Sequence, residues 1–350
     1  MNEFKKLLLV SDKSRINSFT VFICSFFISI LFLLYATKSS PLYPFNDWVD
    51  TNASFTMGKA MMNGQVLYRD IFDQRGPLLY FIYGLAYLLS NTNFLGVFFF
   101  EVLFFSGFLF FSYKIFSLYL PSAYSLIALP LLAFSVFNLE SFSHGGSPEE
   151  YSLSLLIISL YHLLAYFKKI FPQPMRLKWV FFNGVITGCV LWIKFSLLGF
   201  WLGWIVSIII IELINKRAIR AIRTGFVFLF GMGVATLPWL VYFGENDSIY
   251  EWINSYILLN IQTYSDFSER ISLIPNLKFI PIKFIGHLLL NPVLIGHLYL
   301  GLLIFLINKK FITGLIKKIS LLSSFLLLSI SVFGFGKSYT YYFLIFAPFI

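Results

Sequence analysis

Uncharged apolar runs long enough to cross a lipid bilayer recur along this chain, and nothing else in the sequence limits its fold so strongly. The first, Ser18 to Ala36, carries no charged side chain; a helix of about 20 residues spans a hydrocarbon core of about 30 Å. Inside such a core each backbone N–H and C=O must find its partner within the protein, so an isolated run has to be helical. Further runs read as spans at 94 to 113, 120 to 137, 151 to 167, 179 to 193, 196 to 213, 224 to 243, 284 to 308 and 319 to 336, with another starting near Tyr342. The stretch Pro77 to Leu89 is too short to cross and is expected to be a re-entrant or interfacial helix. The sequence therefore predicts an all-α fold, a polytopic membrane helix bundle of about nine or ten spans. It is read as a single domain over 1–350, with a first outer loop (39–76) carrying interfacial helices and a second outer loop at 138–150.

Composition agrees: 58% of the 350 residues are hydrophobic and 12% charged, against about 25% charged in soluble domains. In a soluble chain the formal charge of +10 would suggest nucleic acid, but here the basic residues cluster between apolar runs. The partner they indicate is the bilayer, and no nucleic acid is expected. Lys5, Lys6, Lys13 and Arg15 precede the first run, which places the N-terminus in the cytoplasm. If 77 to 89 does not cross, Lys114, then Lys168, Lys169, Arg176 and Lys178, then Lys216, Arg217, Arg220 and Arg223, then Lys309, Lys310, Lys317 and Lys318 share that side. Most acidic residues fall opposite, so an extracytoplasmic site on the cell membrane is expected. Glu101 alone lies well within a span, where a carboxylate is either functional or a helix-packing group. Cys24 and Cys189 sit in apolar runs and read as packing residues.

Three outer segments carry the candidate chemistry. Loop 39–76 holds Asp47 and Asp50 at one end and Arg69, Asp70, Asp73 and Arg75 at the other. Between them Ser54 to Met62 has a short helical pattern stopped by Asn63-Gly64, with Phe55, Met57, Met61 and Met62 available to the membrane interface. Loop 138–150 holds Glu140, His144, Glu149 and Glu150; Ser147, Pro148 and Glu150 also fit a capping box that would explain the acids structurally. Lys194 stands alone in an apolar hairpin, as a snorkelling lysine or as a fixed cation for a phosphate beside the bilayer. Asp47-x-x-Asp50 has the spacing to hold a divalent cation, but the four histidines, at 144, 162, 287 and 297, make no ligand cluster. No other metal site or cofactor is expected. The far loop, 244 to 283, and the aromatic stretch 336 to 342 read as solvated loop and interfacial anchors that can also reach a substrate.

Tyr68-Arg69-Asp70-Ile71-Phe72-Asp73-Gln74-Arg75-Gly76-Pro77, the acidic motif after the first span, and Gly145-Gly146-Ser147-Pro148-Glu149-Glu150 together resemble the GT-C superfamily of integral-membrane glycosyltransferases, near the bacterial protein mannosyltransferases and aminoarabinose transferases. The resemblance covers residues 18 to about 200. It implies an inverting glycosyltransferase taking a sugar from a polyprenyl-phosphate carrier to a cell-wall polymer, lipid or protein acceptor on the outer face. It further implies Asp50 as the acceptor-activating carboxylate with Asp47 as fallback, Glu149 or Glu150 as the second-loop acid, and Arg75 on the carrier phosphate. Lys194 joins it on charge; Asp70, Asp73, Arg69 and His144 are supporting candidates. Relatives usually continue further, so the chain is expected to be incomplete at its C-terminus. The rival from another class is a polytopic transporter or lipid-carrier flippase, which predicts charge near the bilayer midplane and inverted repeats.

Overall fold

The computed structural model describes residues 16–137, 142, 144–262, 278–288, 292–308, 311–334 and 339–350. Lys5, Lys6, Lys13, Arg15, Glu140, Asp266, Lys309, Lys310 and Lys337 lie outside them. Among the described residues the regular structure is helical throughout: α1 Ser18–Ala36, α2 Val49–Met62, α3 Pro77–Leu89, α4 Leu95–Phe116, α5 Ser122–Phe137, α6 Pro148–Lys169, α7 Leu177–Leu191, α8 Gly199–Ile214 and α9 Ala218–Glu245. After these come α10 Ile249–Trp252, a π turn Ile253–Leu258, α11 Leu259–Gln262, α12 Phe279–Leu288, α13 Pro292–Ile307, α14 Leu315–Phe333 and a 3₁₀ run Thr340–Phe349. Five of them, α1, α4, α6, α9 and α14, are long and apolar enough to cross a membrane, as expected of a membrane protein; α3, α5, α7, α8, α13 and the 3₁₀ run are shorter apolar helices.

The boundaries have local causes. The Asn17 side chain accepts from the Phe19 N–H at 3.1 Å and starts α1. Proline stands first in α3 and α6, where its missing N–H costs nothing. The run expected at 284 to 308 is helical over its described stretches, in α12 up to Leu288 and in α13 from Pro292 to Ile307. Several polar side chains inside the apolar helices are served locally: the hydroxyls of Ser29, Ser106, Ser112 and Ser329 each donate to the carbonyl four residues back.

The helices pack in pairs: α1 on α4 and α8 on α14 run antiparallel, whereas α4 on α6 and α7 on α9 run parallel. Small residues permit this: a Cβ on Gly184 of α7 would come within 2.2 Å of the Phe228 carbonyl oxygen of α9, and one on Gly231 of α9 within 2.4 Å of that of Phe181. Burial separates inner from outer helices. The apolar stretch of α6 is 78% buried, whereas those of α1 and α9 are 22% buried and present Phe19, Leu31, Ile222, Phe226 and Leu229 outward.

Charge falls at the two ends of the bundle. At one end Lys114 donates to Ser18 at 2.7 Å, Lys168 lies over the Tyr119 ring, and Arg217 and Arg220 donate to the carbonyls of Pro172 and Met175. At the other, Thr37 just after α1 meets Glu101 near the start of α4. α1 and α4 therefore traverse the bundle in opposite directions with α3 between them, so α3 adds no crossing. α2 begins at Val49, earlier than the pattern 54 to 62 predicts, and packs on α3. Met57, expected at the membrane interface, is instead 2% exposed inside that contact.

Candidate functional site

Loop 39–76 folds back on itself and is pinned at several points. The Tyr68 hydroxyl donates to the Arg75 carbonyl at 2.5 Å, the Arg75 N–H donates to the Tyr80 hydroxyl at 2.8 Å, and the Asn260 amide of α11 donates to the Gln74 carbonyl at 2.7 Å. The far segment is thus packed against the first loop where a solvated loop was expected; Trp252 is buried against Trp192 and Phe243. Gly76 makes the next join. Its N–H donates to the Ile193 carbonyl at 3.3 Å, the Leu78 N–H donates to the Trp192 carbonyl at 3.0 Å, and a Cβ on Gly76 would lie 2.0 Å from the Trp192 oxygen. Glycine is what lets the Arg75 loop lie directly against the hairpin of Lys194.

Two cations and three carboxylates meet there. Arg75 holds Asp50 at 2.6 Å and Asp73 at 3.3 Å. Lys194 holds Glu149 at 2.6 Å and lies 3.7 Å from the centre of the Tyr342 ring, a cation–π contact. Tyr341 bridges the halves: its hydroxyl donates to Asp50 at 3.4 Å, while its ring centre is 5.5 Å from the Lys194 ammonium. Asp50 lies in the first turn of α2, where the helix N-terminus favours negative charge. Burial opposes the charge of Arg75, but Asp50 and Asp73 outweigh it and hold the guanidinium above its ordinary range. For Lys194 burial wins over the pull of Glu149 and lowers the ammonium below the usual lysine range. Glu149 is fully buried, and its Oε2 has no hydrogen-bond partner among the described residues.

The other candidates stand apart. Asp47 pairs with Lys38 at 2.6 Å on the surface, a bond that lowers its carboxyl. The two aspartates of Asp47-x-x-Asp50 therefore pair with different cations, and among the described residues no three His, Cys, Asp or Glu side chains are grouped to hold a metal. Arg69 pairs with Asp70 at 2.8 Å and donates to the Asn246 carbonyl at 2.7 Å, fastening the loop to the end of α9. His144 stacks on Trp48 at 4.7 Å, and its carbonyl accepts from Asn46 at 2.6 Å. Glu150 fits the capping reading in part: its N–H donates to the Ser147 hydroxyl at 3.1 Å, while its carboxyl accepts from the Gly146 N–H at 2.8 Å. Of the two neighbouring glutamates, Glu149 is the one that meets a cation of the cluster.

Tyr80 and Tyr256 were not singled out by sequence. Tyr256 donates to the Leu191 carbonyl at 2.5 Å and accepts from the Phe195 N–H at 3.0 Å, fixing both flanks of Lys194. Their only signal was aromatic residues close to charged loops, which interfacial anchoring explains equally well. No family model and no curated protein matches this chain.

Proposed function

We propose that this protein is an integral-membrane glycosyltransferase of the GT-C kind, moving a sugar from a polyprenyl-phosphate carrier to a cell-envelope acceptor on the extracytoplasmic face of the cell membrane. The observation that carries the reading is the convergence of Arg75 and Lys194, from separate loops, beside Asp50 at one end of an apolar bundle. Two partly covered cations match the leaving group of such a donor, and the apolar flanks match its tail. In the proposed step the acceptor oxygen attacks the anomeric carbon opposite the phosphate. The carbon–oxygen bond to phosphate breaks, and the bonding pair leaves with the carrier phosphate. Arg75 and Lys194 neutralise that charge, the acceptor proton passes to Asp50, and the configuration inverts. Glu149 keeps Lys194 paired until phosphate arrives, and Tyr341 holds Asp50 and Lys194 in one frame.

The test is transfer of label from a radiolabelled polyprenyl-phosphate sugar pool in membranes containing wild type, Asp50→Asn or Arg75→Ala, with and without EDTA. The expected result is transfer by wild type that survives EDTA and falls by about 10²–10⁴-fold in Asp50→Asn. Undiminished transfer by Asp50→Asn, or none by wild type, overturns the assignment. A transporter or carrier flippase is favoured by one observation, the buried carboxyl of Glu101 within α4. It predicts movement of labelled carrier across vesicles without sugar transfer.

A further inference from the structure

The end of the bundle away from Asp50 and Arg75 holds two adjoining cavities that the proposed reaction does not use. The larger, about 500 Å³, is enclosed by α4, α6, α13 and α14 and walled by Tyr119, Leu160, Leu164, Phe305, Phe311 and Phe325. Leu164 and Leu160 stand one and two turns before Lys168 on α6, so the cavity reaches about 12 Å into the bundle from its basic end. The smaller, about 380 Å³, shares Phe305, Phe311 and Ile312 with the first and runs along Leu300 and Ile304 of α13. The placement of α13 makes both spaces. Ile295 and Leu298 in its first half are buried, whereas Leu300 and Ile304 in its second half are each 52% exposed.

Walls so apolar do not hold water, and an empty space forfeits the dispersion contacts of the atoms that line it. Beside a membrane-spanning helix the apolar material at hand is a lipid tail, which packs against such side chains as they pack on each other. The rim adds charge. Lys168 lies 5.1 Å from the centre of the Tyr119 ring and Lys318 lies 5.7 Å from that of Phe305, and both rings line the larger cavity. Tyr119 meets Phe311 edge-on at 5.8 Å, so Lys168 stands over the wall that the cavities share. Among the described residues the acid at this end, Glu212, is held by Arg217 at 3.3 Å, and neither lysine is in an ion pair. We propose that this end of the bundle seats a diacyl phospholipid with an anionic headgroup, one chain in each cavity and the phosphate on Lys168 and Lys318. A single-chain lipid leaves one cavity empty, and a zwitterionic headgroup brings a cation of its own to the lysines. The seat shares no residue with the cluster of Asp50, Arg75 and Lys194, so it stands or falls independently of the glycosyltransferase reading.

The test is native mass spectrometry of the detergent-purified protein after incubation with equimolar dioleoyl phosphatidylglycerol, dioleoyl phosphatidylcholine and the single-chain oleoyl lysophosphatidylglycerol. One phosphatidylglycerol is expected to be retained, at least about tenfold over phosphatidylcholine and more firmly than the lyso form. Lys168→Gln and Lys318→Gln should each weaken its retention about fivefold without changing that of phosphatidylcholine. Ile312→Trp, on the shared wall, and Leu302→Trp, reaching into the larger cavity from α13, fill the space and should each abolish retention. Melting temperature shows which of these two variants is folded, and the lysine variants, changed at the rim, decide the question if neither is. Equal retention of the three lipids, or wild-type retention in the folded tryptophan variants or in both lysine variants, overturns the proposal. So does the absence of bound phosphatidylglycerol, the outcome if a second copy or another protein segment occupies the cavities.

Discussion

Glu149 and Glu150 are neighbours on one turn of α6, yet they belong to different chemistry. Glu149 meets Lys194 in a cluster whose Asp50 side chain is 29% exposed and Arg75 side chain 17% exposed, so a ligand can compete for the cations. Glu150 lies in a sealed cluster without a cation among the described residues, where its carboxyl accepts from the Gly146 N–H at 2.8 Å. Both arrangements answer one constraint: a buried carboxyl needs a partner, and an ammonium or a backbone N–H can supply it. Only the ion-paired cluster, however, has cations to offer an anionic substrate. The sealed cluster supplies a fixed turn.

Removing the buried cation should therefore do the greatest damage to stability. Lys194→Ala leaves Glu149 buried and unpaired, a change that costs about 3–5 kcal/mol where a buried pair is broken. It also removes one of the two charges proposed to hold the donor phosphate, expected to be worth about 10²–10³-fold in turnover. Thermal unfolding in detergent and label transfer are expected to fall together. Combining Lys194→Met with Glu149→Gln should restore much of the stability and none of the transfer. If the double variant is no more stable than Lys194→Met alone, the ion pair is not what Glu149 needs.

The same lysine gives a pH dependence. Its ammonium is held below the ordinary lysine range, first by burial, so it loses its charge earlier than a solvated lysine as pH rises. Donor binding should weaken on the alkaline side, beginning below that ordinary range. Lys194→Arg should abolish this limb, because a guanidinium keeps its proton. A limb that persists in the arginine variant would mean that a group other than Lys194 sets it.

A smaller effect is expected at the turn that joins the clusters. Gly146→Ala forces a side chain to φ of +73°, and its Cβ would lie 2.2 Å from the Tyr83 hydroxyl. The conformation alone costs about 1–2 kcal/mol, read as a lower melting temperature. Transfer should drop less than in Lys194→Ala, since both cations remain.

These contrasts show what a sequence exposes and what it hides. The apolar runs were legible because membrane transfer sums along a contiguous segment, so α1 was expected at its observed bounds and α3 was expected not to cross. Asp50 and Arg75 stood out as charge beside greasy sequence. Their meeting with Lys194 and Glu149 did not, since it depends on how α6 and α7 pack. The bond from Thr37 to Glu101 was hidden for the same reason, and Glu150 could only be read locally as a cap.

The least effect is expected where sequence reading saw near equivalence. Asp47 and Asp50 lie three residues apart, and spacing alone allowed either to serve. The structure sends Asp47 to Lys38, with side chains 57% and 35% exposed; an ion pair that open to water and salt contributes little. Asp50 lies in the first turn of α2 on Arg75. Asp47→Asn should therefore leave melting temperature, donor binding and transfer unchanged within the scatter of the assays, while Asp50→Asn is expected to cut transfer by about 10²–10⁴-fold under the same conditions. Parallel losses in the two variants would mean that Asp47 leaves Lys38 to join the cluster when substrate binds. The separation of surface pair from site would then be a property of the ligand-free state alone.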